Sequence, residues 1–508
     1  MIRLLPLPEA ETIFATSSIK PEADYKAIRN DDDLRSLEDC LSKADICAID
    51  TETSGRDPRS ATLFGISFSV KEGQAYFVPM MNTDLDGITT EEVRSRLNKV
   101  LARRPKFVGH NLKYDFTVLR RNGFDPQVLH FDTMLAAYDC FGDWEFWNLA
   151  AVAKKLLGVS VRRYRDIVGD GETFLDRPFK ELVDHACSDA DVALRLHGVL
   201  RRELRKRQIE HRFTEGTMQV ERLLLDRERD GVRVDSGRME KVRDAAKMSV
   251  DALRATAIAS AGVEFDIDSP KATADTLRRL GIWENTTRPV GDSQLEQLAG
   301  EHLLASMIVK YRRERKRYRE IEALCAVARD GRVYASFSQI KTPHGRLSSS
   351  SPCLAEAVVA GAVQDEQLVK LSGDAEAALE ILREASGDLV LHDDLKQRKS
   401  CGDFLPGNLV AQGVNHCEIL FSAVIGQPEP AICRQFLIRR EQAAAFRSGI
   451  VSRYQRLFAW LDEFRRLSLL QGFVEYGGER KYLAGLRSSD IDKRNKAVRS
   501  TVRWLIRY

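Results

Sequence analysis

The stretch Ile46-Cys47-Ala48-Ile49-Asp50-Thr51-Glu52-Thr53 decides the reading of this chain. Its first four residues form an unbroken apolar run, which predicts a buried strand over Ile46–Asp50. Side chains alternate along a strand, so Asp50 and Glu52 share a face and Thr51 takes the other. Two carboxylates at the exit of a buried strand are costly for structure alone. Unit charges about 4 Å apart repel by on the order of 4 kcal/mol at an effective dielectric of about 20.

Two more acids stand in local settings that would bring them to the same point. They are Asp115 in GHNLKYDF and Asp189 in HACSDADVALRLH, so the four are spread over about 140 positions. Such a set makes sense with cations between the oxygens. Divalent ions about 3.5–4 Å apart on oxygen ligands are a common device for hydrolysing a phosphodiester. Asp50 is placed to bridge two ions, with Glu52 and Asp189 on the water-activating one and Asp115 on the second. His185 lies four residues before Asp189 on a long helical run, so the two share a helix face. Its imidazole could orient or deprotonate an attacking water, or be an ordinary packed histidine. These residues point to a nuclease.

Composition bounds the rest. At 508 residues the chain exceeds one core and predicts three or four domains. A net charge of +3 excludes a global basic field, so nucleic-acid affinity must come from local clusters. The nine cysteines are scattered singly, which argues against a zinc site or a disulfide framework. The apolar run in Met1–Pro8 is too short for a signal core, and no run of 18 apolar residues follows. A cytoplasmic protein with no membrane association is expected.

After a lead-in over residues 1–24, the pattern is α/β, with strands at Ile46–Asp50, Leu63–Val70, Ala75–Pro79 and Lys106–Gly109. Helices follow, with Asp132-Thr133 as a cap, Asn148–Leu157 stopping at Gly158, and a long run from Phe179 to about Arg207. Beyond about Glu210 the chain reads as helical, at Met218–Asp230, Arg238–Ala259, His302–Val327 and Arg439–Gln471. The cluster Arg312-Arg313-Arg315-Lys316-Arg317-Arg319 could neutralise phosphates or be a solvated helix face, because Glu314 and Glu320 interrupt it.

IDTET, GHNLKYD and HACSDADVALRLH resemble the three motifs of the DEDD 3′–5′ exonucleases. More closely, residues 25–200 resemble the proofreading domain of family A (bacterial polymerase I-type) DNA polymerases, with FDTMLAAY and NLAAVAKKLLG in support. The family carries Tyr four residues before the last acid, where this chain has His185. A sister branch uses His, normally with one more intervening residue. The resemblance implies a ribonuclease H-like α/β exonuclease domain over 25–205, a mixed sheet flanked by helices. It also implies two divalent ions, Mg²⁺ or Mn²⁺, and a single-stranded DNA 3′ end as partner. Asn111, Lys113 and Tyr114 would lie along that strand. Tyr164 stands where the family stacks an aromatic on a base, with core packing as the alternative.

The second half resembles the polymerase module, thumb-like over 206–352 and palm/fingers-like over 353–508. VERLLLDRERDGVRVD resembles its opening helix, and RVYASFSQIKTPHGRLSSSSP the stretch that holds a primer–template backbone. By that likeness Arg346 and Ser348 would contact the duplex, although His344 replaces a Thr. Past Pro352 the likeness decays: a palm aspartate would fall near Val359, and Val414, Cys417 and Ile425 occupy positions for nucleotide-binding Arg, Lys and Tyr. His392-Asp393-Asp394 lies upstream of the fingers match and reads as coincidence. The sequence ends at Tyr508, before a segment that would supply a second palm aspartate. The expectation is a 3′–5′ exonuclease on a degenerate, truncated polymerase half that binds DNA. The rivals are an active proofreading polymerase and a non-catalytic DNA-binding scaffold.

Overall fold

In the computed structural model, residues 23–368 and 416–505 are described, apart from short breaks at 82–84, 104, 142–143, 145, 163–165, 167–175, 285–288, 342–346, 360, 366, 426, 428, 437–439, 472, 477–478, 483–485 and 487. The chain divides after Arg229 into two compact units, with Glu475–Leu483 counted in the first.

The first unit is built on a six-stranded mixed sheet. Its strands are β1 (Asp24–Ala27), β2 (Ile46–Thr53), β3 (Leu63–Lys71), β4 (Gln74–Pro79), β5 (Lys106–Gly109) and β6 (Val128–Asp132), in the order β1-β4-β3-β2-β5-β6. β2 is central, antiparallel to β3 and parallel to β5. Cys47, Ala48 and Ile49 are fully buried, as the apolar run requires. Pairing with β3 continues through the β2 exit, with Asp50 opposite Ser67 and Glu52 opposite Gly65, whereas β5 pairs only with Ile46, Cys47 and Ala48. The register shifts between Glu52 and Thr53, a bulge that ends regular pairing just beyond the acids. The four anticipated strands are present. β1 and β6, which the sequence reading missed, are the two edge strands, of four and five residues.

Helices α1 (Asp31–Lys43), α2 (Thr90–Leu101), α3 (Leu112–Arg121), α4 (Thr133–Phe141), α5 (Leu149–Leu156) and α6 (Phe179–Lys206) accompany the sheet. One carboxylate ties two of them to it. Asp132, fully buried at the end of β6, accepts from the amides of Asn111 (3.3 Å), Leu112 (2.7 Å), Met134 (2.8 Å) and Leu135 (3.2 Å). It thus satisfies orphan donors at the start of both α3 and α4. Asn111 precedes α3 in the left-handed region, φ 67°, which Asn tolerates better than most residues. Gly109, two residues earlier, has no room for a Cβ: one would lie 2.5 Å from Leu112 Cδ1 and 3.0 Å from the Ile49 carbonyl.

On α6, Asp191 accepts from the Tyr25 hydroxyl (3.0 Å), the Gly73 amide (2.8 Å) and Arg195 Nε (3.1 Å), which pins the helix to β1 and the β3–β4 turn. After a π-helical turn at Phe213–Thr217, α7 (Met218–Asp230) closes the unit.

The second unit is mostly helical. β7 (Val232–Arg233) precedes α8 (Ser236–Ala261), α9 (Pro270–Arg279), α10 (Asp292–Leu298) and α11 (Leu303–Val327), whose apolar faces share one core including Ala257, Ile267, Leu277, Leu295 and Ile308. Ser269 caps α9 with Pro270 in its first turn, as the sequence indicates. Short strands β8 (Arg332–Val333), β9 (Ser336–Ser338) and β10 (Ser348–Ser350) lead to α12 (Ala355–Val359). A second core joins α13 (His416–Val424), α14 (Glu429–Phe436), α15 (Arg440–Arg453) and α16 (Gln455–Gln471). No helix among the described residues is long and apolar enough to cross a membrane.

Replacing Asp132 by Ala would leave four amides without their acceptor. We expect Asp132→Ala to lose about 2–4 kcal/mol of stability in chemical denaturation. A loss below about 0.5 kcal/mol would mean the double cap does not organise these helices.

Candidate active site

Asp50 and Glu52 leave the sheet at the end of β2, Asp115 sits in the first turn of α3, and His185 and Asp189 lie one turn apart on α6. Glu52, Asp115 and His185 are buried, whereas Asp50 and Asp189 keep an accessible edge. The His185 ring lies between two of the acids, with Nε2 3.7 Å from Glu52 Oε1 and Nδ1 3.8 Å from Asp189 Oδ1. Both separations exceed a hydrogen bond. Asp115 is held from β2 itself: its Oδ1 accepts from the Thr51 amide at 3.0 Å and the Thr51 hydroxyl at 2.6 Å. Thr51, read only as the residue facing away, therefore positions the third acid.

The electrostatics make Asp50 the hub. Burial pushes its carboxyl up to about 7. Burial also pushes Glu52, Asp115 and Asp189 well above the carboxylate range, and the charge of Asp50 adds to each. Asp189 raises Glu52 further, while the two Thr51 bonds pull Asp115 back. For Asp50, Glu52 and Asp189 every contribution is unfavourable to the charged form. Burial, helped by the positive charge of Arg162, lowers His185 to about 4, so its ring is neutral at pH 7. Asp189 Oδ1 is buried without a hydrogen-bond partner.

An orphaned anionic oxygen among uncompensated carboxylates fits hard divalent cations, whose charge would reverse each of these penalties. The fit is not a finished shell. Among the described residues, no three His, Cys, Asp or Glu side chains converge around one ion position. The acids stand within one another's field.

The other expected contacts divide. Asn111 is exposed beside Leu112 and Asp115 on α3. Lys113 was expected along the strand, but it is buried in an ion pair with Glu228, which removes its ammonium from any surface phosphate. The Tyr114 hydroxyl bonds Thr53 Oγ1 at 2.5 Å and also the Gly55 carbonyl, so it braces the chain after β2. His110 joins Thr133 Oγ1 (2.9 Å) to the Trp147 carbonyl (2.7 Å) behind Asn111. Tyr164 and Arg346 lie outside the described residues, as do His344, Val414 and His392-Asp393-Asp394. Ser348 is half-buried on β10 and donates to the Ser338 carbonyl at 3.2 Å.

The basic cluster on α11 is largely spent within its own unit. Arg312 pairs with Asp292, Arg313 with Glu296, Arg315 with Asp268, Lys316 with Glu320 and Arg317 with Glu314. The solvated, self-paired helix face is the better description of it. Ile425, at a position where the family likeness expects a nucleotide-binding side chain, is buried in the second helical core.

Without metal, removing the hub charge should relieve its neighbours. Asp50→Asn in chelator at pH 8 is expected to stabilise the protein by on the order of 1–3 kcal/mol in thermal or denaturant melts. An unchanged or lowered melting point would refute the mutual repulsion.

Comparison with known proteins gives this geometry a family. Residues 25–205 match the family model for 3′–5′ exonuclease, and residues 236–367 that for DNA polymerase family A. The chain is 28% identical over 337 residues to DNA polymerase I of Borreliella burgdorferi, covering 65% of this chain and 37% of that protein. It is 29% identical over 531 residues to DNA polymerase I of Pseudomonas aeruginosa, covering 96% of this chain and 58% of that protein. The chain thus spans about half the length of the curated relatives it matches. Among solved structures, the POL domain of Pol1 from M. smegmatis, in complex with DNA primer-template and dNTP, shares the fold at TM-score 0.67 and 18% identity. That match covers 95% of this chain and 86% of the other. Residues 25–205 are thus similar to the 3′–5′ exonucleases, and residues 236–367 to DNA polymerase family A.

Proposed function

We propose that this protein is a metal-dependent 3′–5′ exonuclease acting on DNA 3′ ends, joined to a family A module that binds DNA without nucleotidyl transfer. The observation that carries the reading is the set of three acids around Asp50, with the unpartnered Asp189 oxygen among them. Asp50, Glu52, Asp115 and Asp189 would hold two divalent ions, Mg²⁺ or Mn²⁺. Ions bound there supply an activated water and stabilise charge at phosphorus.

The chain's own groups do the rest. His185, neutral and set between Glu52 and Asp189, can accept a proton from water or orient it. Asn111, exposed beside α3, can donate from its amide to a strand at the opening. Thr51 keeps Asp115 in place while the substrate enters.

The silent polymerase half rests on side-chain chemistry. Nucleotidyl transfer needs acidic metal ligands and cations on the triphosphate. Val359 stands near the expected palm acid, and the buried Ile425 cannot do the work of a side chain that grips a nucleotide. DNA binding, single-stranded or primer–template, is the role left to that half.

Labelled single-stranded, duplex and mismatched 3′ ends, with and without metal and nucleotides, test the proposal together. Trimming should require Mg²⁺ or Mn²⁺ and fall at least about 100-fold in Asp50→Ala, and no templated addition should occur. Trimming that persists in that variant would remove the site assignment. Primer extension would restore an active polymerase.

A further inference from the structure

We infer that α7, which follows the segment matching the exonuclease family, belongs to the framework of the acidic site, and that Glu228 is a positioning residue for Asp115. This rests on the exonuclease reading of Asp115 given above.

Four ties bind this stretch to the first unit. The Thr217 hydroxyl donates to Asp139 Oδ2 at 2.6 Å, both side chains being buried. Arg222 Nε donates to the Leu129 carbonyl on β6 at 3.0 Å. Asp226 lies 3.9 Å from Arg120 of α3. Glu228 pairs with Lys113, their side chains only 6% and 9% exposed. The last two ties fall on the helix that carries Asp115.

Lys113 and Asp115 are two residues apart, which on a helix sets them about 200° apart around the axis. The first turn of α3 is therefore gripped on opposite sides, by α7 through Lys113 and by Thr51 through Asp115. Removing Glu228 takes from the buried ammonium of Lys113 the carboxylate of this ion pair. The turn can relieve this by rotating or lifting Lys113 towards water, and Asp115 moves with it. Exposed partners would not have this leverage, because solvent would take over the lost charge.

The test uses the full chain. Melting temperature and 3′-end trimming are followed against Mn²⁺ concentration for the wild type, Glu228→Ala, and the charge-free pair Lys113→Met/Glu228→Leu. Glu228→Ala should raise the Mn²⁺ midpoint about tenfold, with KM for the 3′ end unchanged within about twofold. The double variant, which restores an apolar contact of similar volume, should return the midpoint to within about threefold of wild type. If Glu228→Ala does not fold, Glu228→Gln carries the same test and should show a smaller shift of the same sign.

A folded variant with the wild-type midpoint, or a double variant as impaired as the single, would overturn the positioning role. A wild-type protein whose melting temperature ignores Mn²⁺ would overturn the exonuclease reading and this inference with it. A response shared equally by all three proteins would overturn the inference alone.

Discussion

The repulsion between Asp50 and the three carboxylates around it is the constraint the first unit is built to withstand. Asp50 raises the cost of ionising the other three and Asp189 that of Glu52, and among the described residues no positive charge offsets this at Glu52 or Asp189. A flexible chain would relieve the strain by swinging the acids apart into water. Here they are mounted on a central strand, the first turn of a capped helix and the middle of a 28-residue helix. The penalty is kept because the mounting is stiff.

That stiffness has identifiable sources. β2 is paired with β3 through Asp50 and Glu52, so the two acids cannot leave without breaking that pairing. Asp132 holds the starts of α3 and α4 with a single carboxylate. Asp191, two residues from Asp189, ties α6 to β1 and the β3–β4 turn. Buried acids thus appear twice with opposite meaning: satisfied by amides they are structural, and left unsatisfied they are the site.

Much of this was legible in the residues. Alternation along ICAIDTET placed Asp50 and Glu52 on one face, and the spacing of His185 and Asp189 placed both on one side of α6. Thr51 and Glu228 were not legible in those roles, because their meaning depends on partners 64 and 115 positions away. Lys113 misled for a related reason: next to a site motif, a lysine reads as a phosphate contact until its buried partner is known. The edge strands β1 and β6 were too short, at four and five residues, to announce themselves by pattern. On α11 the charge run looked available for phosphates only while Asp268, Asp292 and Glu296 were distant in sequence.

The account stands or falls on whether the acids take up ions as a pair. Equilibrium binding of Mn²⁺ to the full chain at pH 8, followed by electron paramagnetic resonance and competed with Mg²⁺, measures this without relying on turnover. The account predicts saturable uptake of about two ions per chain, displaced by Mg²⁺. Absence of saturable uptake, or saturation that Asp50→Asn leaves unchanged, would contradict it.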